Sequence, residues 1–303
     1  MNNTNLYIIG NGFDLHHGIQ SSYSSFRAYL KQVDNSLFDL VEEYLSPDEN
    51  WSDLEESLAS LDSDYLAENA SGFLVSYGAE DWSDSYHHDY QYEIEQIVES
   101  LSSRLREKFT AWIRQLYIPS TDEIKKLLEI NNDAIYLSFN YTNTLEKVYG
   151  IPKSNTLFIH GYVNSGKTEL ILGHAWNPAD ILTLNEDDYE RLDTRVIEGD
   201  EIINRYFHQT FKQTSKVIEV NETFFNNLEN ISDIYVLGHS LSYVDKEYFE
   251  VIVKTINRKK VQWKVSYHNK HELARHQDTM KELGIYKSNL QFFQLDDLSE
   301  NKF

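Results

Sequence analysis

Cysteine is absent from the chain, which excludes a disulfide framework, a thiolate metal site and a thiol nucleophile, and fits a reducing compartment. Proline occurs only four times, and no Pro/Gly-rich linker, low-complexity tract or internal repeat divides the sequence. Long apolar runs are missing too. The first one, "LYII", stops at Gly10 with no basic region before it, too short for a signal segment or a membrane span, so a soluble cytoplasmic protein without a membrane partner is expected. Basic charge is scarce: 27 Lys plus Arg stand against 49 Asp plus Glu, a net charge of −22. A long polyanion would be repelled, which argues against nucleic acid as a partner. What is present is 41% hydrophobic content over 303 residues, enough for one large α/β domain or a core carrying an inserted subdomain.

Residues 5–9 read as a short buried strand, and Phe26, Tyr29, Leu30 and Val33 mark one side of a helix after the glycine turn. From 36 to 130 the pattern is helical, most clearly where Ile94, Ile97, Val98, Leu101, Leu105 and Phe109 recur at threes and fours. Within it, 63–90 is mixed and reads as a long loop or lid. Short β-rich runs follow at 134–140, 156–161, 169–174, 233–240, 261–268 and 290–295, the later ones alternating with the helical "YFEVIVKTINRK" and "RHQDTMKELG". That alternation predicts an α/β fold with a parallel sheet and crossover helices. The first strand belongs with the later ones, because one strand cannot bury both faces alone. The expected organisation is a nucleotide-binding core of 1–35 and 131–303, interrupted after the first βα unit by an inserted helical subdomain, 36–130.

Ligands of open parallel sheets bind at the carboxyl ends of the strands. The residues there are Gly10-Asn11-Gly12-Phe13-Asp14, Asn140-Tyr141, His160-Gly161 and Gly238-His239-Ser240. "GNGFDLHHG" is half of a dinucleotide fingerprint, since Leu15 stands where a third glycine is expected; phosphate binding and a turn needing φ > 0 fit it equally. No second strand ends in an acid about 20 residues on, which argues against a nicotinamide dehydrogenase. Asp14 would repel pyrophosphate and fits a helix cap, a ribose contact or an orienting group better. Asn140 fits a helix N-cap as well as a ligand contact, and His160 fits a structural histidine as well as a base. "GHSLS" falls short of a nucleophile elbow because Ser242 replaces the second glycine, leaving Ser240 or Ser242 as helix caps and an esterase as the last choice. The histidine groupings at 16–17, 87–88 and 268–276 do not have zinc-hydrolase spacing, so no metal site is expected. The basic clusters at 104–114 and 258–264 read as solvated helix faces.

Taken together, "LYIIGNGFDLHHGIQSSYSSF", "WSDLE" at 51–55, "SFNYTNTLE", "FIHG" and "VLGHSLSYVDKEYF" resemble, in that order, the bacteriophage abortive-infection family AbiH along essentially the whole chain. The same order is similar to a remote version of the sirtuin-type NAD-binding fold. That resemblance implies a Rossmann-like sheet, with Asn140 matching the group's asparagine, His160 its catalytic histidine, and Gly238 and Ser240 its late motif. Two departures stand out: Gly10-Asn11-Gly12-Phe13-Asp14 replaces a Gly-Ala-Gly-x-Ser type of turn, and Thr142 stands where Asp is common. The implied function is an antiphage effector that hydrolyses NAD, as substrate and with no cofactor required, to nicotinamide and ADP-ribose. Lysine deacetylation is not implied, because the four-cysteine zinc module is absent. Catalysis would fall to Asn140, toward the nicotinamide or ribose, and His160, as base. Gly10 to Gly12 would face the pyrophosphate, with Asn11, Asp14, Gly238, Ser240 and Asp245 completing the ligand contacts. A phage-derived trigger or partner protein and a homo-oligomer fit the same role. The rival readings are a nuclease or RNA-directed toxin and a non-catalytic nucleotide sensor.

Overall fold

The computed structural model describes residues 4–80, 82–163, 170–180 and 193–299. Six strands form one sheet: β1 (Thr4–Ile9), β2 (Ile135–Ser138), β3 (Thr156–Phe158), β4 (Ile231–Leu237), β5 (Gln262–Ser266) and β6 (Leu290–Phe293). All pairings are parallel and the spatial order is β3-β2-β1-β4-β5-β6. The fold is thus a mixed α/β architecture with a parallel sheet and helical insertions, as the alternation of runs predicts.

The central position of β1 explains its unbroken apolar sequence. Leu6 and Ile8 point into one core with Leu137, Ile234, Val236, Phe249, Ile252 and Trp263. Tyr7 and Ile9 point into the other with Phe13, Tyr136, Leu145 and Leu237. A strand with period two and two buried faces needs apolar residues at every position. Across the second face the register aligns Tyr136, Tyr7, Tyr235 and Lys264 on neighbouring strands. The tyrosine rings stack at 5.1 and 4.7 Å between centroids, and Lys264 Nζ lies 4.4 Å from the centre of the Tyr235 ring. Such directly opposed pairs are the units that stabilise a sheet.

The chain divides into two compact units. One comprises Met1–Ser22, Trp112–Ile171 and Gln213–Phe303 and contains the sheet; the other comprises Tyr23–Ala111 and Leu172–Lys212. Within the second, the helix Asp89–Glu99 runs into a π-helical turn, Ser100–Arg104, where the Ser102 hydroxyl donates to the Val98 carbonyl at 2.6 Å. The helix Thr194–Thr210 packs against Asp89–Glu99. A Cβ on Gly199 would stand 2.5 Å from Tyr90 and 2.9 Å from Ile94, so this close approach needs glycine. Also in this unit, the fully buried Lys212 ammonium pairs with Glu55 at 2.6 Å, and the Tyr23 hydroxyl donates to the same carboxylate.

Two sequence expectations differ from the structure. The run 169–174 is not a strand in its described part, 170–174; only His174 makes an isolated bridge, to Phe211. Its first residue, Glu169, lies outside the described residues. The stretch 63–90 is not a bare loop: it contains the helix Ser63–Ala70, whose first turn is capped by the Asp62 side chain accepting from the Tyr65 amide, and the 3-10 turn Asp84–His87. Among the described residues no helix is long and apolar enough to cross a membrane.

Candidate functional site

β1 ends at Ile9, and the short helix Asn11–His16 begins at once. The turn between them is pressed against the turn after β4. Gly10 N–H donates to the Leu237 carbonyl at 3.0 Å and Gly12 N–H to the Gly238 carbonyl at 2.7 Å. A Cβ on Gly10 would lie 2.4 Å from His239 Cα, one on Gly12 2.8 Å from Gly238 Cα, and one on Gly238 2.1 Å from the Phe13 nitrogen. Close backbone approach is therefore what Gly10 and Gly12 serve. A left-handed conformation is not the reason, since Gly10 has φ −118°, whereas Gly238 also requires it at φ +64°. The contact sits where the strand order reverses between β1 and β4, and both glycine amides already have protein acceptors.

Asn11 is tied to the following turn: Nδ2 donates to the Ser21 carbonyl at 2.9 Å and Ser21 Oγ donates to Oδ1 at 2.5 Å. Asp14 behaves differently. It is completely buried, and its Oδ2 accepts from the Thr142 hydroxyl at 2.6 Å, with Thr144 Oγ1 2.9 Å from that of Thr142. Burial pushes its carboxyl up to about 6, against the opposing pull of Thr142, Thr144 and Asn140. Asn140 lies beside it after β2, yet Asn140 Nδ2 and Asp14 Oδ1 make no hydrogen bond of good geometry, although both atoms are buried. The N-cap reading of Asn140 fails because the helix Thr144–Tyr149 takes Asn143 at that position. Asp14 Oδ1 and Asn140 Nδ2 are thus a buried acceptor and a buried donor side by side, and the Asn140 amide favours the ionised carboxylate.

A second group gathers around Asp245. One carboxylate oxygen lies 3.5 Å from His160 Nε2 and the other 3.5 Å from His239 Nε2. His160 follows β3 and His239 follows β4, while Asp245 lies on the 3-10 turn Tyr243–Asp245 that leads into the helix Lys246–Thr255. The Phe139 ring meets both imidazoles edge-on, at 5.3 Å from His160 and 4.4 Å from His239. All three polar residues are buried. Ser240, by contrast, is exposed; its backbone carbonyl accepts from His276 Nε2 at 3.2 Å.

Sequence reasoning named Asn140, His160, Asp14, Gly238 and Asp245 but missed that Asp245 stands between two histidines. His239 was legible by the same strand-end rule that found His160, as the residue between Gly238 and Ser240 after β4. Thr142 as a partner of Asp14 carried no signal. The adjacent histidines do diverge. His16 faces the Lys126 carbonyl, whereas His17 Nδ1 donates to the Phe13 carbonyl and its Nε2 accepts from the Tyr149 hydroxyl, with burial lowering its pKa to about 4. Among the described residues no group of three His, Asp or Glu side chains is arranged to hold a metal.

These features define an α/β protein with buried polar side chains gathered at the carboxyl ends of a parallel sheet. The family model described as "Bacteriophage abortive infection AbiH" matches residues 6–267, and the chain belongs to that family, with the general antiphage role that the family name states. No curated protein and no solved structure matches it.

Proposed function

We propose that the protein carries out abortive infection by hydrolysing NAD to nicotinamide and ADP-ribose. The observation that carries this reading is the presence together, at the carboxyl ends of the strands, of an imidazole held near a carboxylate (His160 and Asp245) and the buried Asn140 Nδ2 beside Asp14. The strand order 3-2-1-4-5-6 supports it, because doubly wound sheets of that Rossmann order bind dinucleotides at the reversal point.

Cleavage of the nicotinamide glycosidic bond passes through an oxocarbenium-like state. The bond breaks with its electron pair going to the ring nitrogen, water adds to the anomeric carbon, and His160 takes the water proton. A carboxamide offers an acceptor oxygen and a donor NH₂ group, the complement of Asn140 Nδ2 and Asp14 Oδ1. Holding the leaving group there favours the geometry from which it departs. Since the amides of Gly10 and Gly12 already donate to carbonyls, the pyrophosphate would meet other donors, and the glycines act by bringing the two turns together.

The test is mass spectrometry of metabolites after incubating the protein with NAD, with and without extract of phage-infected cells. Nicotinamide and ADP-ribose should accumulate with the intact protein. His160→Ala should slow release by about 10²–10⁴-fold, the range of general-base assistance, with thermal unfolding used to establish that the variant, which loses a buried ring, is still folded at the assay temperature. Intact NAD under every condition would reject hydrolysis and favour a sensor that binds without turnover, or a nuclease. Normal rates in both His160→Ala and Asn140→Ala would reject the assignment of these residues.

A further inference from the structure

We infer that His239 is a positioning residue: an imidazole whose Nε2–H holds the Asp245 carboxylate in place for His160. The inference rests on the hydrolytic reading of His160 but is carried by separate geometry.

The first observation concerns the tautomer. The Leu241 amide donates to His239 Nδ1 at 2.9 Å. A nitrogen that accepts from an amide carries no proton, so in the neutral ring the proton is on Nε2, the atom 3.5 Å from Asp245. Protonating Nδ1 would break the hydrogen bond from the Leu241 amide, and His239 therefore presents Nε2–H to Asp245 as a fixed donor.

The second observation is the backbone that creates this bond. Leu241 is buried and adopts φ +53°, a left-handed conformation that is strained for a branched, non-glycine residue. The turn is secured on both sides of His239: Gly238 N–H donates to Ser266 Oγ at 2.8 Å, and the Ser240 carbonyl accepts from His276 Nε2 at 3.2 Å. A strained turn tied at successive residues fixes the imidazole between them. With Phe139 packed edge-on against both histidines, neither ring can swing toward the other.

Asp245 is thus placed between a fixed donor and the proposed base. The other titratable groups facing the pair are Tyr141 and Tyr248, with rings 6.2 and 5.7 Å from that of His160, and His276, whose Nε2 lies 3.8 Å from Glu272. Asp245 is the carboxylate within 4 Å of both His160 and His239.

Two substitutions separate the two ends of the ring. His239→Asn can place an oxygen near the Nδ1 position and keep the Leu241 bond, but it loses the donor to Asp245. His239→Gln can place its NH₂ near the Nε2 position and keep that donor. With NAD as substrate, His239→Asn should lower kcat by about 100-fold, the effect of misplacing a reacting group by about 1 Å, with KM little changed; His239→Gln should recover most of the loss. Independently of turnover, NMR titration of the full-length protein should show the His160 midpoint falling by about one pH unit in His239→Asn and returning toward wild type in His239→Gln, because a displaced Asp245 no longer favours the imidazolium. Equal losses in both variants would mean a merely structural role and would overturn the inference, as would an unmoved His160 midpoint in His239→Asn. A midpoint that moves as described in a protein that leaves NAD intact would uphold the placement of His239 while rejecting the hydrolytic reading.

Discussion

Asp14→Asn should make the protein more stable at neutral pH, and the size of the gain follows from burial. The carboxyl is completely buried, with the Thr142 hydroxyl as its one short hydrogen bond, and its pKa is pushed up to about 6 from an ordinary 3.8. A folded-state pKa above the unfolded one means that the native protein holds this proton more tightly. The ionised group therefore opposes folding fully above about pH 6, and the opposition fades as the pH falls from 6 toward 3.8. A difference of roughly two pH units corresponds to about 3 kcal/mol. For 303 residues that is a rise in Tm of about 5 °C at pH 8, taking about 2.1 cal/mol/K per residue for the unfolding entropy. Asparagine carries no charge and keeps an acceptor for Thr142, but its NH₂ faces the buried Asn140 Nδ2, so about 5 °C is the upper limit of the gain. The assay is thermal unfolding of both proteins between pH 4 and 8, read as the difference between them. That difference cancels groups common to both, such as His17, whose lowered pKa acts the other way: the unfolded chain takes up this proton as the pH falls below 6.5, while the folded ring stays neutral until about 4. A variant that melts lower at pH 8, or a difference that does not change with pH, would refute the reasoning. The same substitution turns an acceptor into a donor opposite Asn140 Nδ2, so under the proposed function the stabilised variant should release less nicotinamide.

Gly238→Ala should lower stability by about 3 kcal/mol or more, since it combines φ +64° with a Cβ 2.1 Å from the Phe13 nitrogen; a melting temperature close to wild type would show that the turns can separate freely. Lys212→Ala should cost about 3–5 kcal/mol, because it leaves the Glu55 carboxylate without its buried partner. The double variant Lys212→Met with Glu55→Gln should recover a large part of that loss in urea unfolding, and failure to recover would mean that the ion pair itself, and not the packing of the lysine stem that methionine retains, supplies the stability.

The parallel sheet was readable because its central strands are buried on both faces and so appear as continuous apolar runs; Leu6 to Ile9, Ile234 to Leu237 and their neighbours carry that signal directly. The helix 89–115 was readable from its period. The run 169–174 shows the limit of the same rule, since a short apolar segment serves a packed irregular chain as well as a strand. The grouping of the helix Thr194–Thr210 with Asp89–Glu99 depends on Gly199 opposite Tyr90, a fit between surfaces far apart in sequence. At the site, strand-end position singled out Asn140 and His160, and the glycines around Asn11 marked a tight turn without saying what presses on it.

By itself the sequence determined most of the local conformations, the family, and the polar residues that terminate the strands, because these follow from periodicity, turn chemistry and ordered motifs along one chain. Only the tertiary structure decided that Gly12 meets Gly238, that Asp14 reaches Thr142, and that Asp245 stands between His160 and His239. Those contacts join residues brought together by strand order and by crossover helices, and side-chain burial and hydrogen bonding, which determine their chemistry, exist only once the strands have assembled.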